Sequence, residues 1–425
     1  MVEETVREHV RRVAEEARAA SGALAQTSAE ERNGALVAMA SALRAHARAI
    51  VEANGRDMDA ARAAGTKESL LDRLMLDEGR VEGIAAALED LVALPDPLGA
   101  VQRRRTLYNG IELTRVSVPL GVVAVVYEAR PNVTADAAGI CLKSGNAAVL
   151  RGGSMAAASN EIMAKVLHDA AVEAGMPRGC IGAVTVPDRA AADELMQLHG
   201  VVDVLIPRGG AGLIRHCVEA SKVPVIETGT GNCHVYVHAS ADFEKARAII
   251  VNAKCRRLGV CNAAETLLVD EAAAEAFLPA ALAELAERGV TLHADERAAA
   301  VAAKHGTPTV PADESDWETE YLAADLAVRV VDGVDEAIDH VNRYSTKHSE
   351  AIVAEDEGAV EAFLARVDAA AVYANASTAF TDGAEFGLGA EIGISTQKLH
   401  ARGPFALDAL TSYKYVLRGS GQVRA

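Results

Sequence analysis

The stretch Val122-Val123-Ala124-Val125-Val126-Tyr127 decides the predicted fold, because it is a β-branched run followed by a helix-like pattern near 133–144. Later runs repeat the arrangement, and they predict strands at 147–150, 181–185, 202–206 and 223–226, with helices near 155–174, 189–199 and 210–220. Strand–helix repeats of this spacing are typical of a parallel, doubly wound sheet with helices on both faces. Such a sheet binds its ligand at the carboxyl ends of the strands.

The second half of the chain repeats this alternation and predicts a second α/β domain. The expected strands are 235–237, 266–269, 290–292, 327–331, 351–354 and 370–373, and the expected helices are 242–255, 271–287, 334–344 and 356–366. Residues 375–405 are Gly-rich and irregular, and loops of this kind over a rigid scaffold often line sites. A last strand is expected at 412–417.

Ahead of the first strand, alanine-rich patterns predict helices at 3–21, 28–64 and 68–93, with Thr27 or Ser28 as an N-cap. Asn109-Gly110 then separates two alternating runs, which is a strong hairpin signal. The hairpin is either an ordinary surface feature or an element that pairs with another subunit.

Composition bounds the function class. The chain has 425 residues and a net charge of −18, which argues against a nucleic-acid partner and against binding to an anionic membrane surface. The N-terminal segment does not have the basic start and apolar core that predict a secretory signal. The six cysteines are scattered and show no zinc-like pairs, so no metal site is expected. Reduced thiols in the cytoplasm are the expectation.

The candidate nucleophile is Cys261. It follows Gly259, after the predicted helix that carries Asn252 and Lys254, and precedes a strand-like Thr-Leu-Leu-Val. A cysteine in a loop ahead of a strand is placed to react. Cys255 falls in the helix-like part and is expected to be structural.

Two strand ends predict an anion site. One reads Arg151-Gly152-Gly153-Ser154 and the other Arg208-Gly209-Gly210, and each opens a helix, although no G-x-G-x-x-G is present. Guanidinium groups beside free backbone N–H groups form an anion cradle. The alternative is that each Gly-Gly pair makes only a tight turn and each arginine faces solvent.

Several motifs resemble those of the aldehyde dehydrogenase superfamily, and more narrowly those of its gamma-glutamyl phosphate reductase family. The superfamily likeness is carried by residues 118–122, 129–133 and 143–146 and by the Cys261 loop. The narrower likeness is carried by Arg-Pro-Asn-Val-Thr, Leu-Lys-Ser-Gly-Asn, Gly-Asn-Cys-His-Val-Tyr-Val (231–237), Gly-Val-Cys-Asn-Ala (259–263), Ser-Thr-Lys-His-Ser (345–349), and the stretches 389–404 and 410–415. The resemblance runs nearly from end to end.

The resemblance implies reduction of L-glutamate 5-phosphate by NADPH to L-glutamate 5-semialdehyde and phosphate, the second step of proline synthesis from glutamate. Cys261 would form a thioester, which is an easier hydride acceptor than a carboxylate. Asn132 matches the superfamily asparagine that donates to the oxyanion, together with the Cys261 backbone N–H. The alternative for Asn132 is turn chemistry after Pro131.

For the cofactor, the resemblance implies NADP(H). The superfamily often has an acidic residue three positions after the strand end, and in this chain that residue is Ser154. A carboxylate there would repel the 2′-phosphate of NADP(H), whereas Ser154 with Arg151 would accept it. Glu320 matches the glutamate that contacts the nicotinamide ribose, although the flanking Phe-Gly-Pro is absent. Leu-Gly-Val-Cys replaces the usual Gly-Gln-x-Cys. Glu227 falls where oxidising members keep a general base, a role that a thioester reductase does not need.

The substrate site needs groups for a phosphate and an amino acid. The candidates are loop residues that carry charge or a hydroxyl: Arg130, His348, Ser377, Thr378, Lys398 and Arg402. For each, a solvated position in a loop is the alternative.

The predicted fold class is therefore α/β and aldehyde-dehydrogenase-like, with two doubly wound domains and a protruding β-hairpin for oligomerisation. The NADP(H)-binding domain covers 1–101 and 119–229, the catalytic domain 230–390, and the oligomerisation hairpin and C-terminal strand 102–118 and 405–425. A homo-oligomer and functional coupling to glutamate 5-kinase are expected.

Three alternatives stay open. The first is another acylating semialdehyde dehydrogenase of the same superfamily, which would work in reverse without phosphate. The second is a cysteine acyltransferase without redox chemistry, which would not bind a nicotinamide. The third is a non-catalytic partner of a glutamate kinase, in which Cys261→Ala would change nothing.

Overall fold

The computed structural model describes residues 5–128, 130–186 and 188–424. Residues 1 and 425, which bound the predicted domains, lie outside the described residues, as does Ala129 of the motif at 129–133. The described chain divides into two compact units. Unit one comprises the residues up to Thr228, Gly387–Gly393 and the residues from Phe405 onward, and unit two comprises Gly229–Phe386 and Ile394–Pro404.

Unit one begins with helices, as predicted, but two of the predicted helices are each broken in two. The observed N-terminal helices are Val6–Leu24, Ala29–Ala45, Ala47–Ala63, Glu68–Leu74 and Glu78–Ala93. The prediction of one helix over 28–64 was wrong, because His46 leaves helical geometry and the axis bends by 66° there. The prediction over 68–93 was wrong because Asp77 caps a new helix, its carboxylate accepting the Arg80 N–H at 2.7 Å.

The predicted start at Ser28 is confirmed as a capping box. The Ser28 hydroxyl accepts the Glu31 N–H at 3.2 Å, and the Glu31 carboxylate accepts the Ser28 N–H at 2.7 Å. No single described helix is long and apolar enough to cross a membrane, although the bent pair Ala29–Ala45 and Ala47–Ala63 passes the same test of length and composition together.

The parallel sheet of unit one has Val122–Tyr127 near its centre, buried along its whole length. The strand order is Ile181–Ala183, Ala147–Gly152, Val122–Tyr127, Val204–Arg208. The helices that connect or follow these strands are Asn132–Lys143, Ala157–Glu173, Arg189–Gln197 and Ala211–Ala220. The strand expected at 223–226 is reduced to an isolated bridge between Leu205 and Val225, since Pro224 cannot donate to a ladder.

The predicted hairpin is present in an antiparallel sheet of unit one. Val101–Thr106 pairs with Glu112–Pro119, which pairs on its other side with the C-terminal strand Thr411–Arg418. Gly110 takes a left-handed φ of 84° in the turn, which explains the Asn-Gly sequence.

Unit two contains a wholly parallel sheet with Ala264–Asp270 and Cys233–Val237 near its centre. The strand order is Val310–Pro311, Thr291–Ala294, Asp325–Val331, Ala264–Asp270, Cys233–Val237, Ser349–Val353, Ala371–Ala374. Its helices are Phe243–Cys255, Glu271–Glu287, Glu296–Lys304, Val334–Tyr344 and Glu357–Arg366. The central strands and the first two of these helices share a core of Ala, Val, Leu and Ile side chains.

The Gly-rich region expected at 375–405 is largely irregular. It contains the short strands Gly393–Ser395 and Gly403–Phe405, which pair with each other. Here the chain leaves unit two after Phe386 and returns to it for Ile394–Pro404.

Candidate active site

The predicted nucleophile, Cys261, lies in a loop of unit two between the helix Phe243–Cys255 and the strand Ala264–Asp270. Its side chain is half-buried. Cys255 packs against the core at the end of the helix, and burial raises the pKa of its thiol above the ordinary value. The loop therefore presents Cys261 and holds Cys255 in a packing role.

The main chain at Gly231 lies directly against the nucleophile loop. A Cβ atom at this position would be 1.5 Å from the carbonyl oxygen of Cys261, so only glycine fits without displacing the loop. The Gly231 N–H donates to Glu320 Oε1 at 2.6 Å. Glu320, the predicted cofactor residue, thus helps to hold the main chain before the strand Cys233–Val237 beside Cys261.

The residue after the nucleophile is fixed from both ends. The Asn262 side-chain amide donates to the carbonyl oxygens of Ala379, at 3.3 Å, and Thr381, at 3.0 Å. The Asn262 carbonyl accepts the Thr378 hydroxyl at 2.7 Å. Ser377 caps the short helical turn that follows it, accepting the Ala379 N–H at 3.2 Å. The segment from 377 to 381 therefore supports the loop, and both predicted substrate donors on it are engaged there.

A buried ion pair lies under the same loop. Lys254 Nζ is 2.5 Å from Glu265 Oε2, and both side chains are fully buried. Burial raises the pKa of Glu265 to about 7, although the Lys254 ammonium opposes the shift. The other carboxylate oxygen of Glu265 accepts the Leu322 N–H at 3.2 Å. The pair thus connects the helix before Cys261 to the segment that carries Glu320.

His348, a predicted substrate residue, is fully buried. Burial lowers the pKa of its imidazole to about 4. Its Nδ1 atom lies 2.8 Å from the Ser349 hydroxyl and 3.7 Å from Cys233 Sγ. The structure therefore places His348 beneath the loop as a neutral group.

Lys398 and Arg402 converge on one carboxylate. Asp368 lies 2.8 Å from Lys398 Nζ, 2.7 Å from Arg402 Nη2 and 3.2 Å from Lys347 Nζ. Hydrogen bonds from these three cations hold the pKa of Asp368 well below its usual range. Sequence reasoning missed Asp368, because it is far along the chain from two of its partners.

In unit one, Asn132 begins the helix Asn132–Lys143. Its side-chain amide donates to Asp136 Oδ2 at 2.8 Å. Burial raises the pKa of Asp136 to about 6, against the lowering effects of Asn132 and Arg208. Asp136 therefore orients the Asn132 amide, and its i, i+4 spacing was a sequence signal that could have revealed it. Arg130 is exposed just before this helix.

The predicted cofactor residues around Arg151 lie at the carboxyl end of a central strand. Arg151 is largely buried and donates through Nη2 to the Asp188 carbonyl at 2.9 Å. Gly152 packs against the Asn160 amide, and Gly153 packs against main-chain atoms of Glu128. Ser154 is exposed at the start of a short helical turn.

The second predicted anion cradle holds a carboxylate of the protein itself. The Gly210 N–H donates to Glu128 Oε2 at 2.8 Å, at the start of the helix Ala211–Ala220. A Cβ atom at Gly209 would lie 2.4 Å from the same oxygen. Arg208 lies against the main chain of Gly393. Because a carboxylate of the protein takes the N–H at this helix start, the turn has the chemistry of an anion site.

Comparison with known proteins identifies the class. Residues 1–305 match the aldehyde dehydrogenase family, and the chain belongs to that family of oxidoreductases. The gamma-glutamyl phosphate reductase of Moorella thermoacetica is 55% identical over 96% of this chain and 97% of the relative. That of Thermobifida fusca is 53% identical over 98% of each. Within the family, the chain therefore groups with the gamma-glutamyl phosphate reductases.

Solved structures agree. Gamma-glutamyl phosphate reductase from Thermotoga maritima has a TM-score of 0.95 at 43% identity, covering 98% of this chain and 100% of that chain. An acetylating aldehyde dehydrogenase from Geobacillus thermoglucosidasius, at 23% identity and a TM-score of 0.71 over 99% of this chain and 98% of that chain, shares the fold. The predicted family and the α/β fold class are confirmed.

Proposed function

We propose that this chain reduces L-glutamate 5-phosphate to L-glutamate 5-semialdehyde and phosphate with NADPH, the second step of proline biosynthesis from glutamate. The observation that carries the proposal is an identity of 51% to 55% with gamma-glutamyl phosphate reductases over nearly the whole chain. A half-buried thiol in a firmly supported loop is the nucleophile that this reaction requires.

In the proposed mechanism, Cys261 acts as a thiolate. It attacks the acyl carbon and the bond to the phosphate oxygen breaks. Phosphate departs, and the acyl group stays on the enzyme as a thioester. Bound NADPH supplies the hydride that reduces this thioester. The thiohemiacetal then collapses to the aldehyde and returns the thiolate. Because hydrolysis of the thioester would waste it, Glu227 is not assigned as a base.

Asn132 is proposed as a donor to the tetrahedral oxyanion, with the Cys261 backbone N–H. A side-chain amide has two N–H bonds, so Asn132 keeps one for substrate while the other is held by Asp136. One donor of this kind is typically worth about 10²–10³ in rate. Asn132→Ala tests the assignment, since it is expected to lower kcat much more than it raises KM.

Unit one is proposed to bind NADP(H) and unit two to carry the chemistry. Support comes from the Arg151 strand end, from the absence of a carboxylate at Ser154, and from the anion-accepting turn at Gly210. A carboxylate at position 154 would repel a 2′-phosphate. Ser154→Asp is therefore expected to raise KM for NADPH at least tenfold and to leave KM for NADH nearly unchanged.

The substrate contacts remain a proposal. Arg130, Ser377, Lys398 and Arg402 are retained as candidates for the phosphate and amino-acid groups. Lys398 and Arg402 would bind an anionic group of the substrate and keep their ion pairs with Asp368. His348 is wholly buried, which suits an indirect role.

We also propose a homo-oligomer built through the antiparallel sheet. Every side chain of the edge strand Val101–Thr106 is exposed. On the C-terminal strand, Tyr413, Tyr415 and Leu417 are 45%, 53% and 53% exposed. Exposed apolar side chains on a sheet with an open edge favour pairing with another chain. Sedimentation tests this, because Tyr415→Lys with Leu417→Lys is expected to give a smaller species.

The proposal includes a cytoplasmic location. It also includes coupling to glutamate 5-kinase, because the acyl phosphate is labile. The decisive assay is therefore NADPH oxidation with glutamate 5-phosphate made in place by a kinase. Cys261→Ala is expected to lose nearly all turnover and keep its fold, whereas Cys255→Ala stays active. Reverse activity without phosphate would favour another acylating dehydrogenase, and turnover without NADPH would favour an acyltransferase.

A further inference from the structure

The motif Gly-Asn-Cys-His-Val-Tyr-Val at 231–237 contains a thiol that the proposed reaction does not use. Cys233 is fully buried at the start of a central strand. Its Sγ atom donates to the carbonyl oxygen of Cys261 at 3.2 Å. Burial, with the nearby Glu350 carboxylate, raises the pKa of this thiol well above its ordinary value, so it keeps the proton that the hydrogen bond needs.

A chain of polar groups lies beside the Cys233 thiol. The imidazole Nδ1 of His348 lies 3.7 Å from Cys233 Sγ and 2.8 Å from the Ser349 hydroxyl. The Ser349 hydroxyl contacts Thr381 Oγ1 at 2.5 Å, and Tyr373 contacts the same oxygen at 2.7 Å. The Ser349 hydroxyl is the nearer partner of His348 Nδ1, and the thiol hydrogen of Cys233 is directed to the Cys261 carbonyl at 3.2 Å.

The carbonyl of Cys261 is therefore held from two sides. Gly231 lies against it and Cys233 donates to it. The pairing of the two central strands is irregular between Cys233 and His234, as in the bulges that redirect side chains near active sites. A carbonyl fixed in this way fixes the peptide plane between Cys261 and Asn262, and this restricts the direction of the Cys261 side chain.

We propose that Cys233 is a positioning residue, whose thiol hydrogen bond to the Cys261 carbonyl holds the nucleophile in its attacking orientation. The inference rests on the proposed role of Cys261. It assigns the cysteine of the 231–237 motif a function beyond packing. Cys233 itself does not contact substrate in this proposal, and it acts only through the main chain of Cys261.

Steady-state kinetics on three variants tests the proposal. Cys233→Ala removes the donor, and kcat is expected to fall about 10- to 100-fold, with KM for NADPH within twofold of the unaltered enzyme. Cys233→Ser keeps a donor and is expected to recover most of kcat. Cys141→Ala, at an equally buried thiol in unit one, is the control and is expected to retain kcat. An unchanged kcat in Cys233→Ala, or no recovery in Cys233→Ser, overturns the proposal.

A second measurement separates this inference from the assignment of the nucleophile. The alkylation rate of Cys261 by iodoacetamide, followed on its peptide by mass spectrometry, needs no turnover. We expect Cys233→Ala to slow it at least threefold and Cys233→Ser to restore it. Equal rates in all variants overturn the positioning role. Full activity in Cys261→Ala would overturn the proposed function instead, and the alkylation result would still stand.

Discussion

Removing Lys254 should destabilise unit two strongly, because its partner Glu265 would be left buried without a counter-charge. Both side chains are fully buried, and their charged atoms are 2.5 Å apart. Breaking such a pair by removing one partner costs about 3–5 kcal/mol, because the remaining carboxyl group must either stay charged in a buried site or take up a proton. Lys254→Met keeps most of the side-chain volume, so the cost comes from charge and little from a cavity.

The size of the effect can be read as a shift in a urea midpoint. For a unit of this size, the unfolding free energy falls by about 2 kcal/mol per molar urea, so Lys254→Met lowers the midpoint by about 2 M. Trp317, the one tryptophan of the sequence, is buried in unit two. Its emission therefore reports the unfolding of unit two without a contribution from unit one.

The double variant separates charge from packing. Glu265→Gln is neutral and still accepts the Leu322 N–H, which the structure places 3.2 Å from the carboxylate. Lys254→Met with Glu265→Gln is therefore expected to be at least about 2 kcal/mol more stable than the sum of the single changes predicts. Additive losses would refute the reasoning, since they would mean that the two charges do not depend on each other.

The pH dependence of Lys254→Met gives an independent check. The pKa of Glu265 is already raised from 4.5 to about 7 with the ammonium beside it, and it rises further without it. An acid with a higher pKa in the folded state loses stability as pH rises through this window. Between pH 5.5 and 7, Lys254→Met should lose roughly 2 kcal/mol. A flat profile would contradict a buried, unpaired Glu265 that takes up a proton on folding.

Three further predictions follow from single contacts. Gly231→Ala should abolish most turnover, because its Cβ would lie 1.5 Å from the Cys261 carbonyl oxygen, while Gly212→Ala, which has open space around it, should keep wild-type rates. Glu128→Gln should lower KM for NADPH several-fold in initial-rate assays, because it removes a negative charge from the Gly210 turn; an unchanged or higher KM would count against a phosphate there. Burial lowers the pKa of His348 from 6.5 to about 4, so the folded state binds fewer protons and stability falls by up to about 3 kcal/mol as pH drops from 6.5 to 4. His348→Gln should flatten that fall in urea unfolding at pH 7 and pH 5, and an unaltered slope would show that His348 is not its source.

Local patterns in the sequence predicted most of the scaffold. The β-branched run Val122–Tyr127 became a fully buried central strand, because burial on both faces selects an unbroken apolar sequence. The Asn109-Gly110 pair marked the hairpin because Gly110 takes a left-handed φ that few residues accept. The break at His46 was not visible, since the residues on both sides favour a helix and the bend separates two helices of similar pattern.

The support of the candidate site was much harder to predict. Gly231 and Cys261 are thirty residues apart, and their contact exists only because two neighbouring parallel strands bring them together. Asp368 similarly gathers cations from two distant loops. Periodicity describes single elements, and it contains no information on which loops meet. The motifs indicated which residues matter, and the fold showed what each one contacts.

The return of Ile394–Pro404 to unit two sets a limit on how this enzyme can be divided. A fragment that stops at Phe386 would lose the Ile394 carbonyl that accepts the Gly229 N–H at 2.8 Å, together with both cations that Ile394–Pro404 contributes to Asp368. Unit two is therefore not an independently expressible piece between two cuts. Swapping it into a relative requires four crossovers, two of them on either side of Gly387–Gly393, or a circular permutation that rejoins the separated segments.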